Sequence, residues 1–297
     1  VHLLSMGVAE ESIARLHALV GGYGRTLAVH ELGDLSRWFD FSVNPRGFTM
    51  SALARLFLAR VLPQEVTRVL YLDCDTVVLA DLTSLWDTDL GGRVLGMVAE
   101  PTVNHARKKY LGMAEDAPYY NSGVLLIDLQ AWRAQHAEQT VLDYYRAMGG
   151  DLVAPDQDAL NGALPQGIYS LPPKYNFGSV QLYYPYGAQK KMCAPTPFYA
   201  CEADYRAAAY PPAIVHFLGE ERPWRRGNRH PYRDAYLQAL AKTPWKNAPL
   251  EDGFETYFKC FALFNTLTKP FPMLRWHVID ALIPAFMRHR QKQREKA

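Results

Sequence analysis

Val69-Leu-Tyr-Leu-Asp73-Cys-Asp75-Thr-Val-Val-Leu79 decides how the chain is read. An apolar run rich in branched residues climbs to two carboxylates, and a second apolar run leaves them. Periodicity by itself does not separate a buried strand from a short buried helix. The shortness of the run, its Val and Tyr content and the acidic break favour a strand. In an open α/β sheet, ligands sit in the crevice beyond the carboxyl ends of the strands. Two aspartates one residue apart at such an edge can share one hard divalent cation, which prefers carboxylate oxygens. A solvated turn with acidic caps is the alternative, and the motif alone leaves both open.

Upstream, residues 1–7 read as a strand. Glu10 and Glu11 open a helix whose buried face is Ile13, Leu16, Leu19 and Val20, and Gly21-Gly22 stops it. Residues 25–32 read as a second strand, which completes a β-α-β unit of the kind that builds parallel sheets. Residues 50–62 form a helix ended by Pro63, with Arg55 among apolar neighbours. An arginine there usually snorkels to the surface, or is held for an anion.

Downstream, residues 81–89 read as a short helical connection and residues 93–100 as a strand ending in Glu100. Asn121 and Ser122 stand immediately before a further buried strand, Val124-Leu-Leu-Ile-Asp-Leu129, and residues 130–148 are helical by pattern. Asp156, Gln157 and Asp158 begin another helix, where acids ordinarily serve as caps and dipole partners. Residues 165–215 are rich in Pro, Tyr and Gly with little periodicity, the signature of a binding or lid region. His216 ends a short strand, a place usually held by a hydrogen-bonded core histidine. Gly219 and Arg222 beyond it offer backbone and guanidinium donors to a phosphate.

With 297 residues, 49% of them hydrophobic and 21% charged, the chain is globular and can bury a large core. A net charge of +2 gives no footing for a nucleic-acid partner. Cys74, Cys193, Cys201 and Cys260 lack C-x-x-C spacing, which argues against a disulfide framework or zinc knuckle and suits a reducing cytosol. Neither a signal peptide nor an apolar span of about eighteen residues is visible. Two carboxylates and an imidazole suit Mn²⁺, which accepts oxygen and nitrogen, better than Mg²⁺, although Mg²⁺ remains possible. A cation beside an arginine is what a leaving diphosphate needs, because both neutralise charge that grows as the bond breaks.

Leu70-Tyr-Leu-Asp-Cys-Asp75, Tyr120-Asn-Ser-Gly-Val-Leu-Leu-Ile127, Asp156-Gln-Asp-Ala-Leu-Asn161 and His216-Phe-Leu-Gly-Glu-Glu-Arg-Pro-Trp224 together resemble glycosyltransferase family 8. Within it the sequence is most similar to bacterial lipopolysaccharide galactosyl- and glucosyltransferases. The resemblance implies an α/β, GT-A type, Rossmann-like nucleotide-sugar fold with a mostly parallel central sheet. It also implies Mn²⁺, a UDP-galactose or UDP-glucose donor, a saccharide acceptor and retention of anomeric configuration. By position it makes Asp73, Asp75 and His216 the metal ligands, with Cys74 between the two acids among the donor-binding residues. Gly219 and Arg222 would hold the diphosphate; the family usually has Lys at the latter place, and a planar fork is not equivalent to an ammonium. Arg55, Asp156 and Asn121 would contact the donor sugar, and Glu100 would lie near sugar or acceptor. Gln157 would lie beneath the anomeric carbon. An amide is a poor nucleophile, which favours front-face attack with the departing phosphate as base. The chain opens where the family's second strand would be, so the first strand and helix, with an acidic segment that contacts the base, are expected to be absent. Base recognition and activity are then expected to be impaired. Gly47 stands where some relatives place a polar residue facing the acceptor.

The pattern changes near residue 245, which divides a catalytic domain (1–245) from a C-terminal segment (246–297). Phe254, Tyr257, Phe258, Phe261 and Phe264 form one aromatic stripe at helical spacing, Pro270 and Pro272 break the chain, and the end is strongly basic. The segment is either a core-packing helix with a solvated tail or an interfacial amphipathic element drawn to anionic lipid. The second reading places the protein in the bacterial cytoplasm, peripheral on the inner face of the inner membrane, where lipid-linked acceptors are made. The alternatives to transfer are a sugar nucleotidylyltransferase, which would need a Gly-rich basic loop near the N-terminus that is absent here, and a non-catalytic nucleotide-sugar or carbohydrate binder.

Overall fold

The structure, a computed structural model, describes residues 1–192 and 199–294, the side chains of residues 290, 293 and 294 excepted. Cys193 and the last three residues of the basic end lie outside the described residues.

The chain opens with the expected unit, β1 (His2–Ser5), α1 (Glu10–Gly22) and β2 (Ala28–Glu31), with β1 and β2 paired in parallel. Ile13, Leu16, Leu19 and Val20 form the less exposed side of α1, but no residue of that helix is buried. A two-stranded ladder offers too little surface to cover the thirteen residues of α1. Residues 50–62 are helical as expected, yet mostly in the tighter 3₁₀ form (Met50–Phe57) before α2 (Leu58–Val61). Leu53 to Phe57 are buried consecutively, Arg55 included, so this element is enclosed on all sides and Arg55 does not snorkel.

β3 (Arg68–Leu72) carries the first apolar run and β4 (Thr76–Val78) the second, with the two aspartates in the turn between them. After α3 (Thr83–Trp86) come β5 (Leu95–Ala99), α4 (His105–Tyr110) and β6 (Tyr120–Asp128). Asn121 and Ser122 therefore lie inside a strand and not before it. Residues 130–148 split into α5 (Leu129–Ala134) and α6 (Ala137–Ala147) at His136, which adopts a left-handed φ of 51°. α7 (Pro155–Ala163) and β7 (Ile168–Leu171) follow.

The central sheet has the order β3-β6-β5-β7. β3, β5 and β7 share one direction, and β6 alone runs against them, so two of the three ladders are antiparallel. The expectation of a mostly parallel sheet holds for strand direction and fails for pairing. The link from β5 to β6 carries only the short α4 and returns at the same end of the sheet instead of crossing its face. Along β6, Leu125 and Ile127 enter a core with Leu53, Phe57, Trp132 and Tyr145. Val124 and Leu126 enter a second core, with Leu85, Leu171 and Ile214, on the opposite face. Both faces are covered, which is why the sequence of β6 is continuously apolar.

The described residues of the 165–215 stretch hold more regular structure than their lack of periodicity predicts. Beyond β7 they form α8 (Ser179–Tyr183), α9 (Tyr186–Gln189), α10 (Glu202–Ala209) and β8 (Ile214–His216). Ring contacts hold these pieces, such as Tyr186 stacked on Tyr205 with centroids 5.2 Å apart, and elements this short register no period. α11 (Arg233–Leu240), α12 (Glu255–Thr268) and α13 (Pro272–Arg294) complete the chain, with the expected break at Pro270 and Pro272. On α13, buried Arg275 lies over Tyr183 and Phe264, 4.2 and 4.9 Å from their ring centroids. Trp276, also buried, donates from Nε1 to the Thr102 carbonyl at 2.8 Å.

Candidate functional site

The site forms where β3 and β8 end and β6 begins. The Asp73 amide donates to the Gly123 carbonyl at 2.8 Å, and the Thr76 hydroxyl donates back to the Asp73 carbonyl, closing the turn that carries both acids. β4 then pairs antiparallel with β8, Thr76 opposite His216, and this register delivers the imidazole to the carboxylates. A Cβ on Gly123 would lie 2.0 Å from the His216 ring, so only glycine leaves the imidazole its place.

Asp73, Asp75 and His216 each offer one ligand atom, all within 4.8 Å of one another. His216 Nε2 is 3.0 Å from Asp75 Oδ1 and 3.8 Å from Asp73 Oδ2. Burial pushes the imidazole down to about 4, so the ring is neutral near pH 7. Its Nδ1 faces Asn176 Oδ1 at 2.9 Å. A carbonyl oxygen only accepts, so Nδ1 carries the proton and Nε2 presents a lone pair. Asp75 Oδ1, buried, has no hydrogen-bond partner. An unpartnered carboxylate oxygen and an imidazole lone pair held 3.0 Å apart in a buried place are unfavourable until a cation is shared by both. The donor set therefore fits a divalent metal, and the solvated-turn alternative does not describe it.

Arg55 ties the metal side to the helix side. Its Nη2 donates to Asp73 Oδ1 at 2.7 Å, its Nη1 to the Ser122 carbonyl at 2.6 Å, and its Nε lies 3.2 Å from Asp156 Oδ2. Burial pulls this guanidinium towards neutrality, but Asp156 and Asp73 more than offset it and its pKa rises. Burial likewise pushes the Asp156 carboxyl up, against the opposing pull of Arg55 and a 2.7 Å hydrogen bond from Ser122 Oγ. Asp156 is thus no ordinary helix cap. Gln157 accepts from the Ser122 amide through Oε1 at 3.0 Å and donates through Nε2 to Tyr119 Oη at 3.2 Å, so both ends of its amide are fixed. Tyr119 in turn donates to Asp158 at 2.6 Å, which also accepts from Arg107 at 2.7 Å.

The remaining expected residues fall around this network. Asn121 Oδ1 accepts from the Gly123 amide and from Asn176 Nδ2. Glu100 is buried, which raises its pKa, and accepts from Thr102 Oγ1. Cys74 is exposed at the tip of the turn. Gly219 is exposed with a left-handed φ of 65° that favours glycine. Arg222 is turned inward: it pairs with Asp75 Oδ2 and donates to the Phe217 carbonyl at 2.7 Å. Sequence reasoning passed over Tyr71, whose hydroxyl donates to Asp73 at 2.8 Å, and Asn176. A glycine at the foot of an apolar strand was the available signal for the close approach at Gly123; Asn176 carried none.

The family model described as Glycosyl transferase family 8 matches residues 1–228. General stress protein A of Bacillus subtilis (strain 168) is 29% identical over 248 residues, 82% of this chain and 83% of that protein. Lipopolysaccharide 1,2-glucosyltransferase of Escherichia coli (strain K12) is 26% identical over 204 residues, 67% of this chain and 56% of that protein. Among solved structures, the galactosyltransferase LgtC in complex with donor and acceptor sugar analogs is similar with a TM-score of 0.70 and 26% identity. That match covers 83% of this chain and 87% of LgtC.

Proposed function

Because the chain belongs to glycosyl transferase family 8 and has the GT-A fold, we propose that this glycosyltransferase moves galactose or glucose from a UDP-sugar to a saccharide acceptor with retention of configuration. The observation that carries the metal-dependent part is the partnerless Asp75 Oδ1 facing the His216 Nε2 lone pair, with Asp73 beside them. Those three residues would hold Mn²⁺, or Mg²⁺ less well, and the cation supplies positive charge to the departing diphosphate. Gly219 and Arg222 complement that charge from the other side, Arg222 leaving Asp75 for the phosphate. Arg55, Asp156 and Asn121 orient the donor sugar, and Cys74 at the exposed turn faces the nucleotide. Gln157, a poor nucleophile as an amide and fixed through both ends of that amide by the Ser122 amide and Tyr119 Oη, positions the sugar. The acceptor hydroxyl then attacks from the face the diphosphate leaves, with a phosphate oxygen taking its proton and Glu100 lining the acceptor side.

The nature of the relatives supports an acceptor from lipopolysaccharide or another cell-surface glycan, itself saccharide or lipid-linked. Among the described residues no helix is long and apolar enough to cross a membrane. The proposed location is the inner face of the inner membrane, reached through residues 246–297. The catalytic reading is tested by UDP release from UDP-galactose or UDP-glucose. Release is expected to require Mn²⁺ and to fall at least about a hundredfold in Asp75→Asn, which keeps the shape and removes a charge from the donor set. Release that persists unchanged without divalent metal would overturn it.

A further inference from the structure

The protonated nitrogen of His216 can be traced through the hydrogen bonds to a donor of fixed identity. The Gly123 backbone amide can only donate, and it points at one side-chain atom of Asn121 at 2.9 Å, which is therefore the amide oxygen. That same oxygen accepts from one terminal atom of Asn176 at 2.8 Å, which must then be its nitrogen. The other terminal atom of Asn176 is its oxygen, and it lies 2.9 Å from His216 Nδ1. Each assignment forces the next. The backbone holds the relay in place: the His216 amide donates to the Phe177 carbonyl at 2.9 Å, and Phe177 forms an isolated parallel bridge with Val215. Asn176 and His216 are both buried, with 5% and 3% of their surfaces exposed, so water does not compete for these groups.

We propose that Asn176 is a positioning residue that sets the tautomer of His216, keeping the proton on Nδ1 and leaving the Nε2 lone pair free beside Asp73 and Asp75. The inference rests on the reading of those three residues as a metal centre. Without an acceptor at position 176, the neutral ring gains most by moving its proton to Nε2, 3.0 Å from the partnerless Asp75 Oδ1. A proton on Nε2 would occupy the lone pair that the cation needs. Asn121 acquires a second task, since it orients Asn176 while facing the donor sugar. A change in its side chain would therefore reach the metal as well as the sugar.

Two measurements on the full chain test this. Long-range ¹H–¹⁵N spectra of the metal-free protein report which imidazole nitrogen carries the proton, with His216 assigned by its loss in His216→Gln. The wild type is expected to show Nδ1–H and Asn176→Leu to show Nε2–H. Titration with Mn²⁺, following the free ion by electron paramagnetic resonance, is expected to give a dissociation constant about 10- to 100-fold weaker in Asn176→Leu. Asn176→Asp, which restores an acceptor, should retain Nδ1–H and bind closer to wild type. An Nε2–H wild type overturns the proposal whatever the variants do, as does an Asn176→Leu that folds and binds Mn²⁺ like wild type. If the tautomers behave as expected but the wild type binds no Mn²⁺, the role of Asn176 stands and the metal centre falls.

Discussion

A Cβ built on Gly123 would meet His216 Cε1 at 2.0 Å and Nδ1 at 2.5 Å, distances at which the ring must move. It can leave only by breaking its contact with Asn176 or its approach to Asp75. Gly123→Ala is therefore expected to weaken Mn²⁺ binding at least about tenfold and to lower stability by about 1–3 kcal/mol, as overpacking does. Gly150→Ala is the control: its Cβ would come as close to the Ser42 carbonyl, and a left-handed φ of 68° adds strain, but the position is outside the site. It should lose stability while the folded protein keeps its metal affinity, and equal Mn²⁺ affinity in Gly123→Ala and wild type would refute the account. Asp73 and Asp75 were legible in the sequence because they break two apolar runs, where carboxylates need a reason, whereas Asp156 and His216 read locally as a helix cap and a core histidine and gained site roles only from the resemblance. Arg55 was less legible. Its neighbours in sequence are apolar, and the two carboxylates that compensate its charge come from other elements. Tyr71 and Asn176 left no trace, since their partners are set by tertiary register alone.

At the scale of elements, the strands were read well because short, continuous apolar runs of branched residues are what burial on both faces of a sheet demands. The direction of β6 was not, because pairing depends on which end of the sheet the preceding link returns to. The 3₁₀ character of residues 50–57 was also hidden, since tight and ordinary helices share the same apolar residues over two turns. The largest difference concerns α13, where the sequence left core packing and membrane contact both open. Trp276 donates to the Thr102 carbonyl, Thr102 donates to Glu100, and Asn104 Nδ2 reaches Asp280 at 2.8 Å, so the inner side of this helix holds the segment that follows β5. Trp276→Ala is expected to reduce stability by about 3–5 kcal/mol, the usual result of emptying a buried aromatic site. Trp276→Phe keeps most of the packing and removes the N–H donor. It should raise the KM for acceptor several-fold while the KM for UDP-sugar stays near wild type. A shift in the donor KM alone would show that the 100–104 segment does not face the acceptor.

For the whole molecule, the same two C-terminal helices have an outer side of different character. Leu263 and Leu267 on α12, Phe271 in the turn, and Leu274 and Leu282 on α13 are each between 55% and 64% exposed. These residues recur at spacings of three, four and eight, while Phe258, Arg275 and Trp276 pack inward. Large apolar side chains left in water on two consecutive helices make this segment a candidate contact surface. Lys269 in the turn and Arg288 further along α13 add positive charge to the same segment, although the chain as a whole carries only +2. Local arrangement, not net charge, is what an anionic bilayer would read, because each lysine or arginine near its surface contributes about 1 kcal/mol over a Debye length. Inserting a leucine contributes about 1.5–3 kcal/mol. The pair Leu267→Asp and Leu274→Asp should accordingly reduce co-sedimentation with phosphatidylglycerol vesicles at least about tenfold, and added salt should weaken wild-type binding more gradually. UDP release in the absence of vesicles should be unchanged, since neither residue touches the site. Co-sedimentation that survives the double substitution would remove the outer face from the proposal. Binding lost only with salt, and not with the substitutions, would reduce it to attraction between the basic end and the lipid headgroups.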